Sequence, residues 1–221
     1  MKMPASPSRL PAIIFDFGGV LLDWNPRHLY RKFFPGDEAA MERFLAEIGF
    51  NEWNYQQDAG RPFSVAVADL CARYPQYCDL IRAYDERYLE SLNGAIPGTV
   101  DILLRLRMGG FPLYALSNWS AEKFQLARPQ YEFFDWFQGI LISGAVGLAK
   151  PDARIFQMLL LQVGRPAGQC LLIDDSLVNV TAAQSLGFQA IHFQDPAQLV
   201  GDLDRLGLLP AIDSPHAAAF Q

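Results

Sequence analysis

Three short apolar runs in this chain stop abruptly at groups that can bind or move charge. IIFD ends at Asp16, LYALSN at Ser117 and Asn118, and LLIDDS at Asp174, Asp175 and Ser176, while GLAKPD carries Lys150 just ahead of a helical stretch. Carboxylates gathered in one place repel one another unless a cation sits among them, and oxygen donors with open positions suit Mg²⁺. A phosphate group completes the charge balance. Lys150 and the metal can neutralise its oxygens, while Ser117 and backbone N–H groups of the Gly18-Gly19 turn hold them. Glycine suits such a turn because a backbone close to phosphate has no space for a Cβ. The same residues do not make a Ser-His-Asp triad: the histidines are His28, His192 and His216, and none adjoins a candidate nucleophile.

These groups meet only if the elements carrying them bring them to one place. Five runs read as strands: Ala12 to Phe17, Pro112 to Asn118, Gly139 to Ser143, Cys170 to Asp174 and Gln189 to Phe193. Their continuous apolar character fits strands buried on both faces, and helical patterns alternate with them at Thr99 to Met108, Ala121 to Gln130, Ala153 to Val163, Leu177 to Leu186 and Ala197 to Leu206. That alternation predicts a parallel sheet covered on both sides, with its strand ends along one edge where ligands bind. Lys150, after the third strand, joins that edge. About 80 residues separate the first two strands where a short crossover would serve. They carry helical segments at Asp37 to Ile48, Ser64 to Tyr74 and Tyr77 to Leu92, which predicts a small helical cap.

Composition narrows the class. With 221 residues and 51% hydrophobic residues the chain can bury a core, and a net charge of −6 argues against nucleic acid as the main partner. Cys71, Cys78 and Cys170 are too few and too irregular for a zinc site or a disulfide framework, so buried fillers in a reducing cytoplasm are expected. The opening MKMPASPSRLPAIIFDFGGVLL imitates a signal peptide, but Asp16 and Gly18-Gly19 interrupt its apolar run and no small-residue cleavage site follows. No stretch reaches the length of a membrane span. A cytoplasmic protein with no membrane partner is expected, with loose ends at Pro4 to Pro11 and Pro210 to Gln221.

The sequence IFDFGGVLLD resembles the first motif of the haloacid dehalogenase superfamily, LSN its second, AKPDARIF its third and IDDSLVN its fourth, in that family's order and spacing. Together the motifs cover the chain except its termini. The resemblance implies an α/β fold, a Rossmann-like three-layer core with a parallel five-stranded sheet and a helical cap of the C1 type. The core would take 8–25 and 94–210 and the cap 26–93, leaving 1–7 and 211–221 as flexible termini. It also implies Asp16 as nucleophile, Ser117 and Lys150 as phosphate binders, and Asp16, the Gly18 carbonyl and Asp175 as metal ligands. Asp174 and Asn179 would stand close by, as ligands through water or behind the ligands; Asp174 is counted with the metal set and Ser176 with Asn179. Gly18, Gly19, Asn118 and Trp119 would face the substrate. The function implied is Mg²⁺-dependent hydrolysis of a small phosphorylated metabolite through an aspartyl-phosphate.

Each residue alone has a plainer reading: Ser117 or Ser176 as a helix N-cap, Asp174-Asp175 as a solvated pair, Lys150 as a surface lysine. Independent caps and surface charges have no reason to end consecutive buried strands in this order, and a charge after IIF is costly without a partner. Trp24, Phe33, Trp53, Tyr55 and Tyr88 could line a pocket, although aromatics in small helical domains are usually core. Arg61 and Arg87 read as a solvated face or a second anion contact.

Three rivals stand beside the phosphatase. A 2-haloacid dehalogenase uses the same aspartate without metal, but its fourth motif typically has serine and asparagine where this chain has Asp174-Asp175. A receiver domain places its acidic pair first and lysine last, the reverse of the order here. A non-catalytic binding protein is the third, because most family phosphatases carry a second aspartate, the general acid, two positions after the nucleophile, where this chain has Gly18. On sequence alone a site without that acid should favour good leaving groups. Asp23 is the nearest other carboxylate along the chain, and a role in shaping the loop is expected for it.

Overall fold

The structure is a computed structural model that describes residues 10–209; the expectations for 1–7 and 211–221 lie outside the described residues. The run AIIF forms β1 (Ala12–Phe15). The chain next makes β2 (Leu22–Trp24), helices α1 (Pro26–Tyr30), α2 (Glu38–Glu47), α3 (Phe50–Asp58), α4 (Phe63–Arg73) and α5 (Cys78–Glu86), and β3 (Leu92–Ala95). From there helices and strands alternate: α6 (Pro97–Met108), β4 (Leu113–Ser117), α7 (Ala121–Ala127), β5 (Gly139–Ile142), α8 (Ser143–Val146), α9 (Ala153–Val163), β6 (Cys170–Asp174), α10 (Leu177–Ser185), β7 (Gln189–His192) and α11 (Pro196–Arg205). The predicted five-stranded parallel sheet forms, in the order β5-β4-β1-β6-β7. Among the described residues no helix is long and apolar enough to cross a membrane.

Strand periodicity explains why the runs are apolar throughout. Ile13 and Phe15 of β1, with Leu171 and Ile173 of β6, face one core beneath α6 and α11, where Ile102, Leu106, Leu199 and Leu203 pack. Ala12, Ile14, Cys170 and Leu172 face the other, beneath Phe156 and Leu159 of α9 and Ala183 of α10. With both faces covered, no strand position is free for a polar residue until the strand ends. Local signals set the helix limits: Asp152 accepts the Arg154 N–H before α9, and Gly164 ends that helix with φ 69°.

The helices between β2 and β3 are filled by aromatics. Tyr30, Phe44, Phe50, Trp53, Phe63 and Tyr84 are all buried, and Phe50 meets Tyr84 edge-on with centroids 4.9 Å apart. Trp53 is therefore core. Helix α3 was absent from the sequence reading because its buried stripe, Phe50, Trp53, Asn54 and Gln57, has helical spacing but is half polar. The short antiparallel pair β2–β3 was also missed: three and four residues are too few for a periodic signal.

The cysteine expectation needs one correction. Cys71 and Cys78 form a disulfide, because the 3₁₀ turn Pro75–Tyr77 reverses the chain between α4 and α5 and brings their Cα atoms to 4.6 Å. Cys170 is the buried free thiol that was expected, and burial pushes its pKa up to about 11.

The inserted helices dock on α7 and α8. Lys123 of α7 is buried, donates to the Asp85 carbonyl at 2.8 Å and to its carboxylate, and lies 4.3 Å from the Phe63 ring centre. Gly60 is in the left-handed region (φ 99°), and a Cβ there would come within 3.3 Å of the Gly144 carbonyl. Lys123→Met should destabilise the protein by about 2 kcal/mol in urea unfolding, since it removes two hydrogen bonds from a charged donor. An unchanged midpoint would show that the ion pair contributes nothing to docking.

Candidate active site

The ends of β1, β4 and β6 lie side by side. Phe15 pairs with Ala115 and with Ile173, so Asp16, Ser117 and Asp174 leave the sheet at one edge. Lys150 arrives from the loop ahead of α9 and is buried, with its ammonium 2.8 Å from Asp16 Oδ2 and 2.6 Å from Asp174 Oδ2. Its third donor goes to the Leu116 carbonyl at 2.8 Å. An ammonium has three protons, so all are engaged. Lys150 thus acts first as counter-charge to the two aspartates, and reaching a phosphoryl oxygen would mean exchanging one of these partners.

The carboxylates are crowded even so. Among the described residues, one oxygen each of Asp16, Asp174 and Asp175 lies within 4.8 Å of the others. Burial is the main cause that raises the Asp16 pKa to about 7; Lys150 pulls it down, and Asp174 and Asp175 push it up again. Asp175 is more exposed and is raised too, by burial and then by Asp174. Burial would depress the Lys150 ammonium, but Asp16 and Asp174 overcome it and raise its pKa. Asp174 is held on both oxygens, by the Ser176 N–H at 2.9 Å and the Asn179 amide at 3.0 Å as well as by Lys150. Asn179 and Ser176 therefore orient Asp174, and Ser176 stands at the N-cap of α10 without a side-chain capping bond.

The glycine turn divides in two. Gly19 has φ 73°, and a Cβ there would fall 2.2 Å from Asp175 Oδ2, so a larger residue would displace that carboxylate. Its N–H donates to the Leu22 carbonyl at 2.9 Å, which corrects the expectation that it points at phosphate. At Gly18 a Cβ would meet only Trp24 Cβ, at 3.9 Å. Packing does not require glycine there. Asn118 has a further task. It lines the pocket, but its amide is engaged at both ends by the Lys150 backbone, at 2.8 and 2.9 Å, so it anchors the lysine loop.

A cavity of about 50 Å³ opens beside this edge, lined on the core side by Gly18, Trp24, Ser117, Asn118 and Trp119 and on the inserted side by Asn54, Asp58 and Tyr88. The indole N–H groups of Trp24 and Trp119 are buried there beside tyrosine hydroxyls, Trp24 near Tyr84 and Tyr88 and Trp119 near Tyr88. Asp58 is the site residue that sequence reading missed. It closes α3, one turn after Asn54, and the i, i+4 spacing of Asn54 and Asp58 ahead of Gly60 was the available signal. Burial raises its carboxyl to about 7, against the Ser120 backbone, which lowers it, and with help from the charge of Asp16.

Other singled-out residues lie elsewhere. Asp23 is bound by His28 at 3.1 Å and Asn93 at 2.9 Å, as expected of a loop-shaping residue, and these bonds lower its pKa. Phe33 and Tyr55 are exposed, and Arg61 and Arg87 pair with Asp69 and Glu90. His192 bonds the Asp175 carbonyl at 2.9 Å, steadying the backbone after β6.

Known proteins resemble this chain in sequence and in fold. A sesquiterpene phosphatase of Aspergillus oryzae is 26% identical over 207 residues, covering 88% of this chain and 95% of the relative. A family enzyme of Bacteroides thetaiotaomicron, solved in complex with magnesium and inorganic phosphate, superposes with a TM-score of 0.63 at 22% identity, over 84% of this chain and 95% of that one. An L-2-haloacid dehalogenase superposes with a TM-score of 0.65 at 23% identity, over 88% and 99%. At such identities the two structures speak for the fold and not for the reaction. The family model for haloacid dehalogenase-like hydrolases matches residues 10–187, and the chain belongs to that family of hydrolases.

Proposed function

We propose that the protein is a Mg²⁺-dependent phosphomonoester hydrolase that acts on a small phosphorylated metabolite through an aspartyl-phosphate on Asp16. The observation that carries this reading is the cluster of Asp16, Asp174 and Asp175 around the buried ammonium of Lys150. Three carboxylates and one cation leave a charge deficit, and their donors are hard oxygens with no thiol or imidazole among them, which fits Mg²⁺. Asp16, Asp175 and the Gly18 carbonyl would hold the ion, with Asp174 beside them. When bound, it neutralises both the carboxylates and the phosphoryl oxygens.

The chain's own residues do the rest. Asp16 Oδ1 accepts the Phe17 N–H at 2.7 Å and Oδ2 faces Lys150, so the carboxylate is fixed in orientation while each oxygen keeps a lone pair for attack on phosphorus. Ser117, buried at the end of β4, offers a hydroxyl to the phosphoryl group. The inserted helices supply one wall of the cavity, through Asn54, Asp58 and Tyr88. Its small volume suits a compact substrate. Phosphatases among the relatives support this reading, and Asp174-Asp175 weighs against the metal-free dehalogenase.

The test is phosphate release from a broad panel of phosphomonoesters with Mg²⁺, run beside chloride release from 2-haloacids. Chloride without phosphate would overturn the proposal. Chelation should stop turnover and Mg²⁺ restore it. Asp175→Ala should weaken Mg²⁺ binding by more than about 100-fold and Asn179→Ala by about 10-fold, the lower end for a residue that only orients a neighbour of the ligands. Binding should also weaken as the pH falls below about 7, because Mg²⁺ must displace the proton that Asp16 holds there. Calorimetric titration reads both effects, and equal losses in the two variants would remove Asp175 from the ligand set.

A further inference from the structure

The inserted helices bring to the site a carboxyl that none of the strand-end motifs contains. Resting on the phosphatase reading above, we infer that Asp58 is the acid that protonates the departing oxygen of the substrate, in place of the aspartate absent at Gly18. Asp58, Gly18 and Ser117 line the same cavity. Position 18 itself has room for a side chain, with Trp24 Cβ as the nearest atom to an added Cβ, so the glycine there is not a packing requirement.

Asp58 is held as a working side chain would be. Asn54 donates to its Oδ2 at 2.9 Å, and the Tyr84 hydroxyl donates to Asn54 Oδ1 at 3.0 Å, which fixes the amide with its N–H₂ toward the carboxyl. Ser143 of the core donates to the Asp58 carbonyl, tying the end of α3 to the sheet side of the site. The side chain's partners are a neutral amide and the Ser120 backbone, not a cation. Burial, the negative end of α3 and the nearby Asp16 charge all favour the protonated form.

The step balances. An Asp16 oxygen bonds to phosphorus as the bond from phosphorus to the ester oxygen breaks; that oxygen takes the bonding pair and the Asp58 proton, and leaves as the alcohol. Asp58, now a carboxylate, takes a proton from the water that attacks the aspartyl-phosphate, which releases inorganic phosphate and restores both aspartates. The preference for good leaving groups expected from Gly18 alone is correspondingly weaker.

The test compares 4-nitrophenyl phosphate with 4-nitrobenzyl phosphate, esters of similar size whose leaving oxygens differ greatly in basicity, with Mg²⁺ present. The readout is kcat/KM, which reports the step in which the alcohol departs. Asp58→Asn should lower it by about 10²-fold or more on the benzyl ester. The aryl ester should fall less, so that the ratio of the two widens at least about tenfold. Equal losses on both, or none, would overturn the assignment. A second measurement needs no variant: across aryl and alkyl phosphates the wild type should depend only shallowly on leaving-group basicity, and a steep dependence would also overturn it. Wild-type protein inactive on every ester would instead defeat the phosphatase reading and the role of Asp58 with it, so the two failures are distinguishable.

Discussion

Asp16→Asn is expected to lower phosphate release by at least about 10⁴-fold, the scale on which removing a nucleophile acts. An amide cannot form the acyl-phosphate, and no other carboxylate takes its place: Asp174 is engaged on both oxygens, and Asp175 follows a different strand. The fold should survive. The folded protein holds the Asp16 proton up to about pH 7, whereas the unfolded chain releases it in the ordinary carboxylate range. The proton therefore stabilises the fold at low pH, and that stability is lost as the pH rises through about 7. Asn has no such penalty, so above pH 7 the metal-free variant should melt at the same temperature as wild type or higher. Acid-quenched wild type should carry a phosphoryl adduct on the peptide containing Asp16, and the variant none. Activity in the pure variant above about 1% of wild type would remove Asp16 from the role.

The second large effect belongs to Lys150. Its ammonium is the fixed positive charge between Asp16 and Asp174, all three are buried, and each donor proton has an acceptor. Removing one side of such a group leaves the others buried and unpaired, which typically costs about 3–5 kcal/mol. Lys150→Ala should lose stability on that scale in urea unfolding. It should also lower turnover by about 10²- to 10³-fold or more, because the phosphoryl transfer loses a preorganised charge. The two losses can be separated by pH. Without Lys150 the Asp16 carboxyl rises further, so the acid limb of the rate should move to higher pH, whereas a purely structural role would lower the rate uniformly. An unchanged rate with unchanged stability would mean that Lys150 is not where the structure places it.

How far the sequence was legible depends on how far apart the deciding residues are. The strands of the sheet and the groups at their ends could be read locally, because a strand buried on both faces admits a polar residue only where it stops. Asp16, Ser117 and Asp174 obey that rule. Lys150 was legible by its place before α9, although its buried, three-way bonding was not.

Other features carry no local mark. In α3, Asn54 and Asp58 look like the solvated face of a helix, and only docking against α8 turns them toward the site. Lys123 reads as a surface lysine until Asp85 and Phe63 close over it. The Cys71–Cys78 pair depends on a turn whose direction their spacing does not reveal. The sequence by itself determined the sheet, the family and the charged groups at the strand ends, since burial on both faces constrains every residue of a strand. Only the tertiary structure decided that Gly19 turns its N–H away from the site, that Asn118 holds a loop, and that Asp58 arrives from above, because each depends on contacts between segments that sequence periodicity does not connect.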